Sequence, residues 1–461
     1  MVRSQFSFVY PVLNVWRNGN LTRLPPVTQS EPSAYTKSLS GLTETVLPTT
    51  STTSFFADFA STYFHPRSLI PITPPYPSIS QPSAMEITAF STSSSAQTAN
   101  FEAGADLFDA RDVEVDVLDT DTRHWLEECD SLQAVQVFTS SDDAWAGFAS
   151  RYVERLRDEL GKGCIWVWGI DESAVANEPG SERRSRNQRR EQTMNTALAV
   201  HGLAEQASMF VPLTIPEHLP KNISLDRRSL WHNSAFLESA IESCTLPTRL
   251  RESDGTGYTL RDWQDILSAG GRRTIAQLSF DPDFDVPSET GDARMRPLDA
   301  EVHEETGSRS QSMIRIAPSS KPKGSSRMTA RNHREKSFSK IESFRGPQER
   351  LDKVLASFVS PTRGNPFETY CVPLAFPLAP TFPQIFQDSS RTSVGALSAH
   401  TMLETSSEVA KWVRSLQANL RFRIGSSVGG QEREAVFNEL GDIAEKYIED
   451  WESGDESEDD E

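Results

Sequence analysis

A compact run of reactive side chains stands at Ser140, Ser141, Asp142 and Asp143, followed by Trp145 and by a single glycine at Gly147. It joins an apolar stretch to an amphipathic one, so it lies where the chain turns from a strand into a helix. A loop in that position can wrap phosphates with its backbone N–H groups, but wrapping needs closely spaced glycines, because only a side-chain-free backbone approaches the anion closely enough. Here Gly147 stands alone, Trp145 is bulky, and two carboxylates would repel a polyphosphate unless a metal ion lay between them. The residue types therefore read as a helix cap, with Asp142 and Asp143 favouring the positive end of the helix that follows. The alternative is a degenerate nucleotide contact through a bridging metal, made by Ser140, Ser141, Asp142, Asp143 and Gly147.

Other candidate groups read as structural. His65 could move a proton, but no serine or cysteine nucleophile signature accompanies it, so a packed or capped histidine is the simpler reading. The GTG triplet at 255–257 lies between polar residues rather than between a strand and a helix, which makes it a turn. Asp281, Asp283 and Asp285 alternate like metal ligands, yet Pro282, Phe284 and the lack of a central glycine and a distal glutamate argue for a surface turn. Cys129, Cys164, Cys244 and Cys371 are far apart and form no CxxC pair, so neither a zinc site nor a disulfide framework is expected and a reducing compartment fits best.

The elements that position the loop follow from periodicity. Residues 132–138 (LQAVQVF) form a near-continuous apolar run, the pattern of a buried parallel strand. After the loop, Phe148, Tyr152, Val153, Leu156 and Leu160 recur at three and four residues as the inward face of a helix, which Gly161 and Gly163 end. Residues 164–168 (CIWVW) supply a second strand. This strand, loop, helix and strand imply a parallel sheet with a right-handed crossover, whose ligands sit at the C-terminal strand ends, and Phe138 and Leu156 should be buried in it. Helical patterns recur over 193–205 and 233–246, the second with Phe236, Leu237, Ala240, Ile241 and Cys244 on one face. Residues 171–192 read as a charged linker. A last amphipathic helix carries Phe437, Leu440, Ile443, Ala444, Tyr447, Ile448 and Trp451, and an acidic tail follows over 452–461.

The chain has 461 residues, of which only 37% are hydrophobic, so part of it is expected to be disordered. Residues 1–104 are rich in Ser, Thr and Pro and largely irregular, except for an aromatic island over 55–72 (Phe55, Phe56, Phe59, Tyr63, Phe64 and Leu69) that should pack on a folded domain. An α/β domain is expected over 105–303 and an α-rich part over 346–451. Between them, residues 304–345 carry Arg309, Arg315, Lys321, Lys323, Arg327, Arg331, Arg334, Lys336 and Lys340 among Ser, Gly and Pro. They read as a disordered basic insertion, removable without unfolding the core; the alternative is a patch for an acidic partner or anionic lipid. With 65 acidic against 46 basic residues the net charge is −19, which disfavours direct nonspecific binding of nucleic acid. No apolar run approaches the roughly 18 residues that span a bilayer, so membrane association would be peripheral. Arg3, Arg17 and Arg23 without acidic residues give the first thirty residues a mild presequence character, but Pro11, Pro25 and Pro26 interrupt it and an irregular segment is the simpler reading.

Several of these pieces, in this order, resemble a known family. Residues 128–133 (ECDSLQ), the strand through Val137 and Phe138, and then Val153-Glu154-Arg155-Leu156 leading to Gly161-Lys162 look like the strand, phosphate loop and helix of tubulins. HPRS at 65–68, SAYTKSL at 33–39, the whole block 128–162, LPTRLR at 246–251 and EREAVFNELGDIAEKYIEDWESG with its acidic tail resemble the Misato family, the mitochondrial-DNA inheritance proteins. The resemblance implies a divergent tubulin-like α/β fold, a parallel sheet flanked by helices. It also implies a role in mitochondrial partitioning and mitochondrial-DNA inheritance through protein partners, at the mitochondrion by peripheral association and in the cytoplasm. Tubulins hold GTP with a glycine-rich loop, which is degenerate here. The family also opens with a tubulin-like strand and a glutamine- and glycine-containing first loop, which nothing in residues 1–19 matches; the expectation is a truncated, misassembled or diverged N-terminus. The reading is thus a non-catalytic protein without a cofactor, GTP being disfavoured. The alternative is a GTP-binding or GTP-hydrolysing protein that assembles as tubulins do.

Overall fold

A computed structural model describes residues 14–17, 20–23, 34–39, 46–53, 58, 68, 70, 100–171, 186–250, 258–282, 284, 313–318, 336–356, 367–387, 395–421 and 430–448. The aromatic side chains proposed as a packed island, together with His65, the GTG triplet, Asp283, Asp285 and the acidic tail, lie outside these residues. Near the N-terminus, β1 (Asn14–Arg17) and β2 (Asn20–Arg23) form an antiparallel hairpin, and α1 spans Ala34–Leu39.

The first sheet is the one the apolar runs foretold. β3 (Val135–Ser140), β4 (Ile165–Asp171) and β5 (Met209–Thr214) lie parallel in that order, Val137 opposite Val167 and Trp168 opposite Val211. They are preceded by α2 (Phe101–Val115) and α3 (Arg123–Glu128), and joined by α4 (Ala144–Leu160) and α5 (Arg186–Gln206). Strand alternation divides the core in two. Ile165, Val167 and Phe210 face Val153, Leu156, Val200 and Leu203, whereas Trp166, Trp168, Met209 and Val211 face Phe236 and Ile241. Leu156 is fully buried as expected, but Phe138 is only half-buried, because β3 is the outer strand of this sheet. Leu132 falls outside the strand and is exposed, and residues 186–192, read as linker, are the first turns of α5.

The second half is a mixed sheet. After β5 the chain forms α6 (Leu230–Thr245), a 3-10 turn at Leu246–Arg249, α7 (Leu260–Ser268), β6 (Gln277–Pro282), β7 (Ile314–Arg315), β8 (Ser337–Arg345) and α8 (Gln348–Ala356). It continues through β9 (Phe367–Val372), β10 (Phe376–Pro377), β11 (Ala396–Leu397), β12 (Ala399–Ser406), α9 (Ser407–Arg421) and α10 (Gly430–Glu445). The strand order is β7, β6, β12, β8, β9, with only the β8 and β9 pair parallel. Three expectations are corrected here. The stretch 304–345 is not one irregular insertion, since β7 and the nine-residue β8 lie within it, and the part after 345 contributes strands β9 to β12 as well as helices. Asp281 likewise belongs to β6, opposite His400, rather than to a surface turn. α6 is buried almost all round, as a helix wedged between the two sheets must be.

The two sheets meet at Phe210, whose N–H donates to the Thr274 carbonyl at 2.6 Å and whose carbonyl accepts from Ala276 N–H at 3.1 Å. The same junction is held from the C-terminus. The Tyr447 hydroxyl, fully buried, accepts from Ile275 N–H at 2.6 Å and donates to the Ile275 carbonyl at 3.0 Å. Tyr447→Phe keeps the ring but strands a buried donor and acceptor, so it should lower the unfolding free energy by about 1–3 kcal/mol. Equilibrium urea unfolding checks this, and an unchanged midpoint would mean that Tyr447 holds the junction by packing alone.

Candidate functional site

The loop after β3 is built from the side chains named at the outset, and all but the half-buried Asp143 are turned inward. Thr139, Ser140, Ser141 and Asp142 are each no more than 3% exposed. Asp143 caps α4 as expected, its Oδ1 accepting from Trp145 N–H at 2.8 Å while its carbonyl accepts from Ala146 N–H at 3.2 Å. Ser141 N–H donates to the Ile170 carbonyl at 2.9 Å, which docks the loop on the end of β4. The Trp145 and Ala146 N–H groups are donors that an anion at a helix N-terminus would use, and the chain itself occupies them.

Asp142 is a buried carboxylate rather than a second cap. Its Oδ1 accepts from the Ser140 hydroxyl at 3.1 Å, its Oδ2 from Gln192 Nε2 at 3.2 Å, and its carbonyl from Asn195 Nδ2 at 3.1 Å. Asn195 Oδ1 then accepts from Phe101 N–H at 3.1 Å, the first amide of α2, whose N-cap is Asn100. One polar network thus ties α2 and α5 to the loop, and hydrogen bonds to its oxygens are what make a buried carboxylate tolerable.

Gly147, read as the remnant of a phosphate loop, has another task. A Cβ there would lie 1.9 Å from the Phe101 carbonyl oxygen, and one at Gly104 would lie 1.6 Å from the Ala144 carbonyl oxygen. The two glycines let α2 and α4 cross in backbone contact, so α2 covers the first turn of α4 and buries Ala144, Trp145 and Ala146. Ser140, Ser141, Asp142, Asp143 and Gly147 are therefore together, as the spacing required, but they form a packed junction.

Sequence reasoning did not find Gln192, Asn195 or Gly104. Gln192 and Asn195 lie three residues apart on α5, a spacing that places both on one helix face, but Gln192 had been read as linker. Nothing in the sequence around Gly104 marks its partner 43 positions away.

Residues 45–250 match the tubulin domain family, a span that includes β3, the loop, and α4 to α6. Protein dml-1 of Neurospora crassa is 34% identical over 95% of this chain and 82% of its own length. Protein DML1 of Gibberella zeae is 33% identical over 94% and 79%, and Protein DML1 of Phaeosphaeria nodorum 31% identical over 93% and 79%. The chain belongs to the Misato family. In this Misato-family chain the tubulin-like α/β fold is kept, and the loop between β3 and α4 is lined by buried side chains. Its four cysteines are free: Cys129 is exposed, and burial pushes the Cys164 thiol up to about 11 and the Cys244 thiol to about 12. Among the described residues of this family member no helix is long and apolar enough to cross a membrane.

Proposed function

We propose that this chain is a non-catalytic tubulin-like protein that acts through protein partners in mitochondrial partitioning and mitochondrial-DNA inheritance, present in the cytoplasm and associated peripherally with mitochondria. The mitochondrial role rests on the family resemblance. The observation that carries the non-catalytic part is the Asp142 carboxylate, 2% exposed at the strand-to-helix turn and hydrogen-bonded there to Ser140 and Gln192. A phosphate brought within about 4 Å of one such carboxylate meets a repulsion of about 4 kcal/mol at an effective dielectric near 20. That alone weakens a micromolar site about a thousandfold.

The test is equilibrium binding of labelled GTP in the presence of magnesium, on the unmodified chain and on the Asp142→Gly, Asp143→Gly double variant. The expected result is no saturable binding by the unmodified chain. Saturable binding by it that weakens in the double variant would mean that the carboxylates recruit a metal, and the GTP-binding alternative would replace this reading. The localisation is checked separately by following the full chain in fractionated cells. Recovery with mitochondria and release by alkaline carbonate is expected, and absence from the mitochondrial fraction would overturn that part.

A further inference from the structure

The geometry points to a divalent transition-metal site where α5 meets α10, formed by His201, Glu205 and Glu439. His201 and Glu205 are four residues apart on α5, which places both on the same helix face one turn apart. Glu439 reaches them from α10, and the ligand atoms of all three residues lie within 4.8 Å of one another. Beneath them runs an apolar seam in which Val200, Leu203 and Ala204 of α5 share a cluster with Val436, Leu440 and Ala444 of α10. The seam fixes the spacing of the two helices, so the three side chains are presented from rigid elements.

One edge of this triangle is already closed: His201 Nδ1 and Glu439 Oε2 are 2.6 Å apart, close enough to share a hydrogen bond. Around a tetrahedral ion at about 2.0–2.1 Å, neighbouring ligand atoms stand roughly 3.3 Å apart. A small opening of this contact, with release of the proton, therefore creates the first two bonds, and Glu205 supplies the third. An imidazole nitrogen with two carboxylates suits Zn²⁺ or Co²⁺, whereas Mg²⁺ and Ca²⁺ take oxygen shells. Water completes the coordination, since the three side chains lie on the solvent side of the seam. Binding would staple α10, which ends beside the Tyr447 junction, onto α5.

The experiment uses the full chain, stripped with EDTA and titrated calorimetrically with Zn²⁺, and with Co²⁺ followed by visible absorption. The expected result is one equivalent bound, a cobalt spectrum of low-symmetry nitrogen and oxygen ligation, and a thermal midpoint raised by Zn²⁺ but not by Mg²⁺. Glu205→Gln and Glu439→Gln should each weaken binding at least tenfold, and His218→Ala, an exposed histidine elsewhere, should leave it unchanged. Glu205→Gln leaves the His201 to Glu439 contact intact, so it reads the ligand set without disturbing the helix pair. Absence of binding, binding indifferent to both glutamate variants, or an equal response to Mg²⁺ would each overturn the assignment and leave an ordinary ion pair.

Discussion

Deletion of residues 304–345 abolishes cooperative unfolding, while deletion of 319–335 alone preserves it. The first deletion removes β8, which is hydrogen-bonded to β12 on one side and to β9 on the other, Ile341 opposite both Leu403 and Glu368. Its inward face is mostly serine, and that is why its composition suggests a solvated segment. Those serines are not solvated. The Ser339 hydroxyl donates to the Leu267 carbonyl at 3.0 Å and the Ser343 hydroxyl to the Cys244 carbonyl at 3.3 Å, near the C-terminal ends of α7 and α6. Helix ends leave carbonyls without partners, and short hydroxyl side chains satisfy them where a larger apolar residue would hold the helices off the sheet. Losing β8 exposes those carbonyls and the facing edges of β12 and β9 together, and it takes Ile341 out of the core. Thermal unfolding followed by circular dichroism distinguishes the two deletions. A sharp transition in the longer one would show that the sheet closes without its fourth strand.

The second large effect is expected at the crossing of α2 and α4. Gly104→Ala or Gly147→Ala places a methyl group less than 2 Å from a backbone oxygen of the other helix, Ala144 or Phe101 respectively. Backbone cannot swing aside as a side-chain tip can, so the helices must separate and open the network around Asp142. A loss of about 3 kcal/mol or more is expected for either, at the upper end of overpacking costs. Gly161→Ala is the informative comparison. Gly161 ends α4 with φ of 54° and has open space where a Cβ would stand, so its substitution should cost about 1–3 kcal/mol, from backbone conformation alone. Urea midpoints rank the three variants. Equal losses at Gly104 and Gly161 would mean that helix separation is cheap.

What could be read from the sequence divides by the kind of signal. Residues 164–168 and the helix face of Val153 and Leu156 were legible because burial on both sides of a parallel sheet leaves an apolar run, and a crossover helix leaves a regular stripe. β8 was not, because its inward positions are chosen for hydrogen bonds to helix ends. Phe138 was read as a core residue from its own hydrophobicity, but its burial depends on whether another strand lies beyond β3, which a local pattern does not encode. At the site, the cap by Asp143 was local and therefore visible. The second task of Gly147, and the parts of Gln192 and Asn195, are contacts between positions some fifty residues apart, and local residue types carry no trace of them.

The strand order of the mixed sheet bears on how the protein is made. β12 lies between β6 and β8, yet it is the last strand of the sheet to be synthesised. Roughly 120 residues separate β6 from β12, so at about 5–20 residues per second β6 waits some 6–24 seconds on the ribosome for its neighbour. During that interval the short β7 is the strand available to pair with β6, and the edge that will receive β12 stays open to whatever is nearby. The first half can assemble its parallel sheet as it emerges, whereas the second half can complete its sheet only after its last strand appears.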